Sequence, residues 1–230
     1  MNDSEILHIF RQLGTLPHGE IGRLALIKPL RSARYLAEEL NKIGISRCRP
    51  QEIDIQFSGL RIQGRLQSVL EWPDGTSGLV HYHSASLKGK QVAKFYLDRL
   101  IGCAAGVVTG KNLLYQVVET KDSSDVKAIE GPAIDPDKAL ETLEHWGSGW
   151  RRGQVSAVAY FPNTSCALSE RFTGLSIKNP NAAWNGAPYN NIPGEGDKEA
   201  VKLLYPDSES VLESLTVKRL AISLFPEAIA

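Results

Sequence analysis

The spacing of apolar side chains divides the chain into a legible series of elements. SEILHIFRQL predicts a short helix over Ser4 to Leu13, and the turn signal Pro17-His18-Gly19 leads into an expected strand, Ile21 to Ile27. In PLRSARYLAEELNKIG, Leu30, Ala33, Ala37, Leu40 and Ile43 share one helical face, with Pro29 suited to a first turn and Gly44 to a stop. Ile53, Ile55 and Phe57 alternate with Glu52, Asp54 and Gln56, and Ser58-Gly59 joins this strand to a second, Leu60 to Leu70. Pro73-Asp74-Gly75 marks a tight turn before a third strand, GLVHYHS. Trp72, beside that turn, either packs back on the hairpin or stands exposed to stack on a base.

Val92, Phe95, Tyr96, Leu100 and Cys103 then fall at helical spacing, closed by Gly106. Leu113 to Val118 is an expected strand, followed by a polar loop and a weaker strand near Val126 to Ile129. Asp135 caps a helix opened by Pro136, with Ala139, Leu140, Leu143, Trp146 and Trp150 inward and Gly147-Ser148-Gly149 interrupting its end. QVSAVAYFP is strand-like, and Asn163 to Gly196 is a loop-rich region, in which Lys178 to Gly196 is either ordered by packing of Trp184 and Tyr189 or mobile. In that region Gly194-Glu195-Gly196 is taken as an ordinary entry to a helix. Two last helices are expected, Asp197 to Tyr205 and Glu209 to Phe225. The whole is expected to be one α/β domain over residues 1–230, with a core spanning about 20–130 and a helical extension over about 131–230.

Composition alters this picture little: 42% hydrophobic and 23% charged residues are ordinary globular usage. Lys+Arg 26 balance Asp+Glu 26, so the totals do not announce a nucleic-acid binder, and any such surface must be local. Cys48, Cys103 and Cys166 are an odd number without a close pair, against a disulfide framework or a Cys-rich zinc site, and a reducing cytoplasm is expected. The start MNDSEILHIFRQLG lacks a signal-peptide pattern, and no run of about 18 apolar residues occurs, so a soluble chain without a membrane partner is expected.

The candidate chemistry centres on LVHYHS. His81 and His83, two apart on a strand, point to one face and suit a shared metal ion. A catalytic zinc needs a third ligand, however, and His8, His18 and His145 lack ligand spacing to this pair, so histidines on a half-buried strand are the alternative. The phosphate-loop, dinucleotide, zinc-protease, C-x-x-C and nucleophile-elbow motifs are all absent. Glu52 and Asp54 are expected to be solvent-exposed.

The order helix, strand, strand, strand, helix, strand resembles the core of the PD-(D/E)xK nuclease superfamily. In active members of the RecB-type version the second strand resembles G-x-I-D-R and the third I-V-D-Y-K-T. Here those stretches are Gly64-Arg65-Leu66-Gln67-Ser68 and Leu79-Val80-His81-Tyr82-His83-Ser84. Gln67 thus stands at the first carboxylate position, His81 at the second and His83 at the lysine. Gln91 and Tyr96 fall close to the family's Q-L-x-x-Y, one residue too far apart. Mg²⁺ needs hard oxygen ligands, so the resemblance implies a nuclease fold without catalytic residues, metal or other cofactor.

Five stretches in order, RQLGTLPHGEIG, GLRIQGRLQSV, YLDRLIGCAAG, WGSGWRRG with FPNTS, and PGEGDKEAVKLLYP, resemble the C-terminal domain family of RecC, the exodeoxyribonuclease V gamma subunit. The resemblance implies a non-catalytic domain of a helicase-nuclease that processes double-strand ends. Its partners would be double-stranded or forked DNA ends and RecB-like and RecD-like subunits. The chain is far shorter than a whole RecC subunit, so the resemblance implies either an isolated domain or a piece of a longer chain, and Met1 need not be a native start. Candidate phosphate contacts are Arg151 and Arg152 beside Trp150, Lys121 and Lys127, and Lys88 and Lys90 at a helix start. The strand pair from Asn112 to Ile129 is the candidate strand-splitting pin. Two alternatives stay open: a metal-dependent DNA hydrolase using His81, His83 and Gln67 with Asp54 or Glu71, and a pure protein-interaction module.

Overall fold

The computed structural model describes residues 2–44, 47–84, 87–119, 124–169, 179–187, 192–205 and 208–225. They form α1 (Asp3–Gln12), α2 (Gly19–Lys42), β1 (Arg49–Phe57), β2 (Leu60–Glu71), β3 (Ser77–His83), α3 (Gly89–Ala104), β4 (Asn112–Glu119) and β5 (Ser124–Gly131). There follow α4 (Pro136–Gly153), α5 (Pro162–Ser169), α6 (Pro180–Asn185), α7 (Glu199–Leu204), α8 (Ser208–Glu213) and α9 (Leu215–Leu224). The protein is mixed α/β, with a five-stranded sheet in the order β1-β2-β3-β4-β5 flanked by helices. Its chain groups into two compact units, and the division crosses β3, β4 and β5.

The first unit takes Met1–Ser46, Tyr82–Ser86 and Tyr115–Ala128. A reciprocal cap opens α1, where Asn2 accepts from the Glu5 N–H at 2.9 Å and Glu5 from the Asn2 N–H at 2.8 Å. The expected strand over Ile21–Ile27 is part of α2 instead, and Pro29 lies inside that helix rather than at its start. Gly22, Leu26, Ser32, Leu36 and Leu40 are buried, a stripe that returns at helical intervals, whereas Ile21, Leu24 and Ile27 are exposed. RLALIK lacks the strict alternation of a half-buried strand, and the stripe outweighs the roughly 3 kcal/mol that an interior proline costs.

The second unit takes Arg47–His81, Leu87–Leu114 and Ile129–Ala230. The β1–β2 hairpin closes on Ser58 (φ 43°) and Gly59 (φ 72°), both left-handed as a tight two-residue turn requires, with Phe57 opposite Leu60. Arg49 faces Val69 while Gln51 faces Leu66, so β2 carries one extra residue there. This bulge moves the core-facing positions from Leu60, Ile62 and Leu66 to Val69, which lies opposite Leu79 of β3. Leu79, Leu87, Phe95, Tyr96, Leu100 and Cys103 are wholly buried, in one core with Ile53, Phe57, Leu143 and Phe225. Buried Asn112 ties the start of β3 to two loops: it accepts from the Leu79 N–H at 2.9 Å and donates to the carbonyls of Gly110, Gly131 and Pro132. Trp72 packs back, buried, donating to the Lys111 carbonyl at 3.0 Å.

Four expectations for the C-terminal half are corrected. Gly147-Ser148-Gly149 does not interrupt α4, which runs on to Gly153, because Gly147 is where Leu60 and Phe57 pack against the helix: a Cβ there would meet Leu60 Cδ1 at 2.5 Å. QVSAVAYFP forms no strand. The N–H groups of Gln154, Val155 and Ser156 turn back to the Arg151 and Arg152 carbonyls, and Pro162 opens α5. The loop-rich region contains α5 and α6, the latter capped by Asn179 before Pro180, and the last expected helix is broken at Ser214 into α8 and α9. Trp184 is buried against Phe161, as its ordering role requires, whereas Tyr189 lies outside the described residues.

Candidate functional site

β3 and α3 hold His81 from two sides. Its Nε2 lies 3.3 Å from Asp98 Oδ2, and Lys94 Nζ reaches the same oxygen at 2.5 Å from one helical turn away. The imidazole meets the Phe95 ring edge to face, with centroids 5.3 Å apart. Only 19% of the His81 side chain and 18% of Asp98 remain exposed. Burial holds His81 below its ordinary 6.5, Asp98 opposes that and Lys94 adds to it, so His81 is neutral at neutral pH. A neutral imidazole can then donate its Nε2–H to the Asp98 carboxylate.

The other two residues of the expected set are placed differently. Gln67 is exposed on β2 beside the bulge. His83 belongs to the first unit, where it lines a 480 Å³ groove with Ala33, Leu36, Ala37, Leu40 and Tyr82. Of the carboxylates weighed as further ligands, Asp54 accepts from Arg61 at 2.8 and 2.6 Å, which holds it below the usual carboxylate range, and Glu71 is exposed at the end of β2. Glu52 is exposed and accepts from Arg65 at 2.7 Å. Among the described residues, no group of three or more His, Cys, Asp or Glu is placed to hold a metal ion. Gln91 caps α3 by accepting from the Lys88 N–H at 3.2 Å, and Tyr96 is in the core against Phe225.

The candidate cations fall at three places. Lys88 and Lys90 are exposed at the start of α3 and line a 780 Å³ cleft with Asn163, Glu195 and Lys198, a third lysine that the sequence pattern did not single out. Arg151 and Arg152 are exposed in the last turn of α4, where the helix dipole favours cations, and Arg151 donates to the Ser58 carbonyl. Lys127 is exposed on β5 in the first unit, and Lys121 lies outside the described residues. Trp150, expected to point inward, is 59% exposed.

Two carboxylates carry roles that local sequence hides. Asp98 partners His81, yet four residues after Lys94 it resembles an ordinary solvated helix pair. Buried Glu195 caps α5, accepting from the Asn163 N–H at 3.0 Å and from the Thr164 N–H and hydroxyl at 2.8 Å each. The glycines beside it are a packing requirement rather than an ordinary helix entry: a Cβ on Gly194 would meet the Trp184 carbonyl at 1.9 Å, and one on Gly196 the indole at 2.6 Å.

The chain is thus mixed α/β and exposes basic side chains and Trp150 at helix ends. The chain belongs to the RecC C-terminal domain family, whose model matches residues 2–173. No curated protein matches it. Among solved structures it is similar to one described as "Crystal structure of SSO0001", at 19% identity and a TM-score of 0.30. That likeness covers 50% of this chain and spans 56% of the other. No helix among the described residues is long and apolar enough to cross a membrane.

Proposed function

We propose that this chain is a non-catalytic, nuclease-like domain of a RecBCD-type helicase-nuclease, which helps receive DNA ends, split their strands and hold the complex together in double-strand-break repair. Membership of the RecC family supports a place in that complex. The observation that carries the non-catalytic reading is the setting of His81. Laid on the PD-(D/E)xK frame, it occupies a metal-carboxylate position, but its Nε2 is engaged by Asp98 and its ring by Phe95. Gln67, at the other carboxylate position, offers a neutral amide oxygen, a weak ligand for Mg²⁺.

DNA ends are received, on this reading, by phosphate contacts from Lys88, Lys90, Arg151, Arg152 and Lys127; β4, expected within the protruding pin, is instead a sheet strand buried from Asn112 to Val117. Binding to a forked duplex then weakens steeply with salt. Replacing Lys88, Lys90 and Lys198 together by alanine lowers the slope of log affinity against log salt by up to about three. Salt-independent binding, or an unchanged slope in the triple variant, would count against this use of the lysine cleft.

Exposed apolar side chains favour a concurrent assembly role. Ile9, Phe10 and Leu13 of α1 and Ile21, Leu24 and Ile27 of α2 are all open to solvent in the first unit. Exposed apolar side chains at helical spacing on α1 and on α2 suit a protein interface, and a RecB-like or RecD-like subunit is the partner that the family supplies. Leu24→Asp with Ile27→Asp weakens co-purification with those subunits while leaving DNA binding unchanged.

A further inference from the structure

The end of α4 carries a feature that phosphate contacts do not use. Trp146 and Trp150, four residues apart, lie on one helical face, and Gly149 and Gly153 leave that face without side chains between and beyond them. A Cβ on Gly149 would meet nothing within 4 Å. With Val158 and Tyr160 these residues line a 410 Å³ pocket, near the low end of the roughly 300–1,000 Å³ usual for small ligands. Trp146 is fixed edge to face against Tyr160 at 6.1 Å and Phe225 at 5.7 Å, so one aromatic wall is anchored in the core. Trp150 forms the other, open wall.

The charge around the pocket selects its ligand. None of its described lining residues is acidic, and exposed Arg152, three residues after Gly149, flanks it, whereas Arg151 is turned to the Ser58 carbonyl. Two arginines at a helix C-terminus are explained by the dipole alone; an exposed indole beside them over an aromatic pocket is not. An apolar peptide side chain would need the pocket but not the cations. A nucleotide of an unpaired strand needs both, a π-face for its base and a cation for its phosphate.

We propose that this pocket takes an unpaired nucleobase by stacking on Trp150, with Arg152 on the adjoining phosphate. The inference rests on the DNA-binding reading above and names the strand state that it recognises. The test compares an oligothymidylate with an abasic strand of equal length and charge, read by tryptophan fluorescence and by titration. The base-bearing strand quenches the fluorescence and binds roughly 5- to 150-fold more tightly, the range expected for one stacked base. Trp150→Ala, checked for an unchanged melting curve, removes the difference between the two strands, and Trp150→Phe retains most of it. Equal binding of both strands by the unsubstituted chain, or a preference that survives Trp150→Ala, overturns the pocket while leaving DNA binding intact. If neither strand nor a forked duplex binds, the DNA-binding reading falls, and the pocket with it.

Discussion

His81 and Trp150 belong to the same compact unit and invert what their residue types suggest. A histidine in a nuclease-like position looks like chemistry, yet it is largely buried, packed on Phe95 and engaged by Asp98. A tryptophan at helical spacing looks like core, yet it stands 59% exposed beside two arginines. Environment, not residue type, separates the two roles. Asp98 and Phe95 hold the imidazole in place, while the indole of Trp150 stays open to solvent.

The largest effect that sharpens this contrast belongs to the sealed side. Phe95 is fully buried against His81, so Phe95→Ala lowers stability by about 3–5 kcal/mol. The urea midpoint at constant slope measures it, and a loss below about 1 kcal/mol would mean that this region is not sealed. Asp98→Asn comes next, at about 1 kcal/mol, because a charge-assisted partner becomes neutral. It also moves the His81 titration further down, since Asp98 is the group that raises it, whereas Lys94→Gln moves it up. Imidazole proton shifts against pH report both, and an upward move in Asp98→Asn would contradict the geometry.

The same titration sets a pH dependence. His81 is held below 6.5 in the fold, so the unfolded chain binds its proton first as pH falls. The His81 contribution therefore lowers stability as pH drops from 6.5 toward its folded value, and is flat above that window. His81→Gln removes this part of the slope, which unfolding curves between pH 5 and 7 of the two chains resolve. The smallest effect lies on the open side: Trp150→Ala changes stability by no more than about 0.5 kcal/mol. A larger loss would place Trp150 in the packing after all.

Elements with their own local signals were legible. The β1–β2 hairpin follows from alternation around Ser58-Gly59, and α4 starts where Asp135-Pro136 says it should, with Asp135 accepting from the Asp137 and Lys138 N–H groups. Where two signals conflict, the more local one misleads. Pro29 suggested a helix start, and only the buried stripe through Gly22 and Leu26 reveals that α2 begins at Gly19. QVSAVAYFP has strand composition, but a strand needs a hydrogen-bonded neighbour, which composition does not supply.

The candidate site was legible only by position. The replacement of expected carboxylates by Gln67 and His81 stands in the sequence, but the partners of His81 depend on where β3 lies over α3. Lys198 joins Lys88 and Lys90 from more than a hundred residues away, and Glu195 reaches α5 across thirty-one. Such long-range placement follows from packing, beyond any local periodicity. The exposure of Trp150 is likewise a property of what α9 and residues 154–160 leave uncovered.

The central claim is that this fold has no working metal site of its own. Linear DNA is incubated with the purified chain and Mg²⁺, Mn²⁺ or Zn²⁺ in turn, and strand breaks are counted on a denaturing gel. The account predicts intact DNA with each ion. Cleavage that is lost when His81→Ala and His83→Ala are combined would contradict it directly.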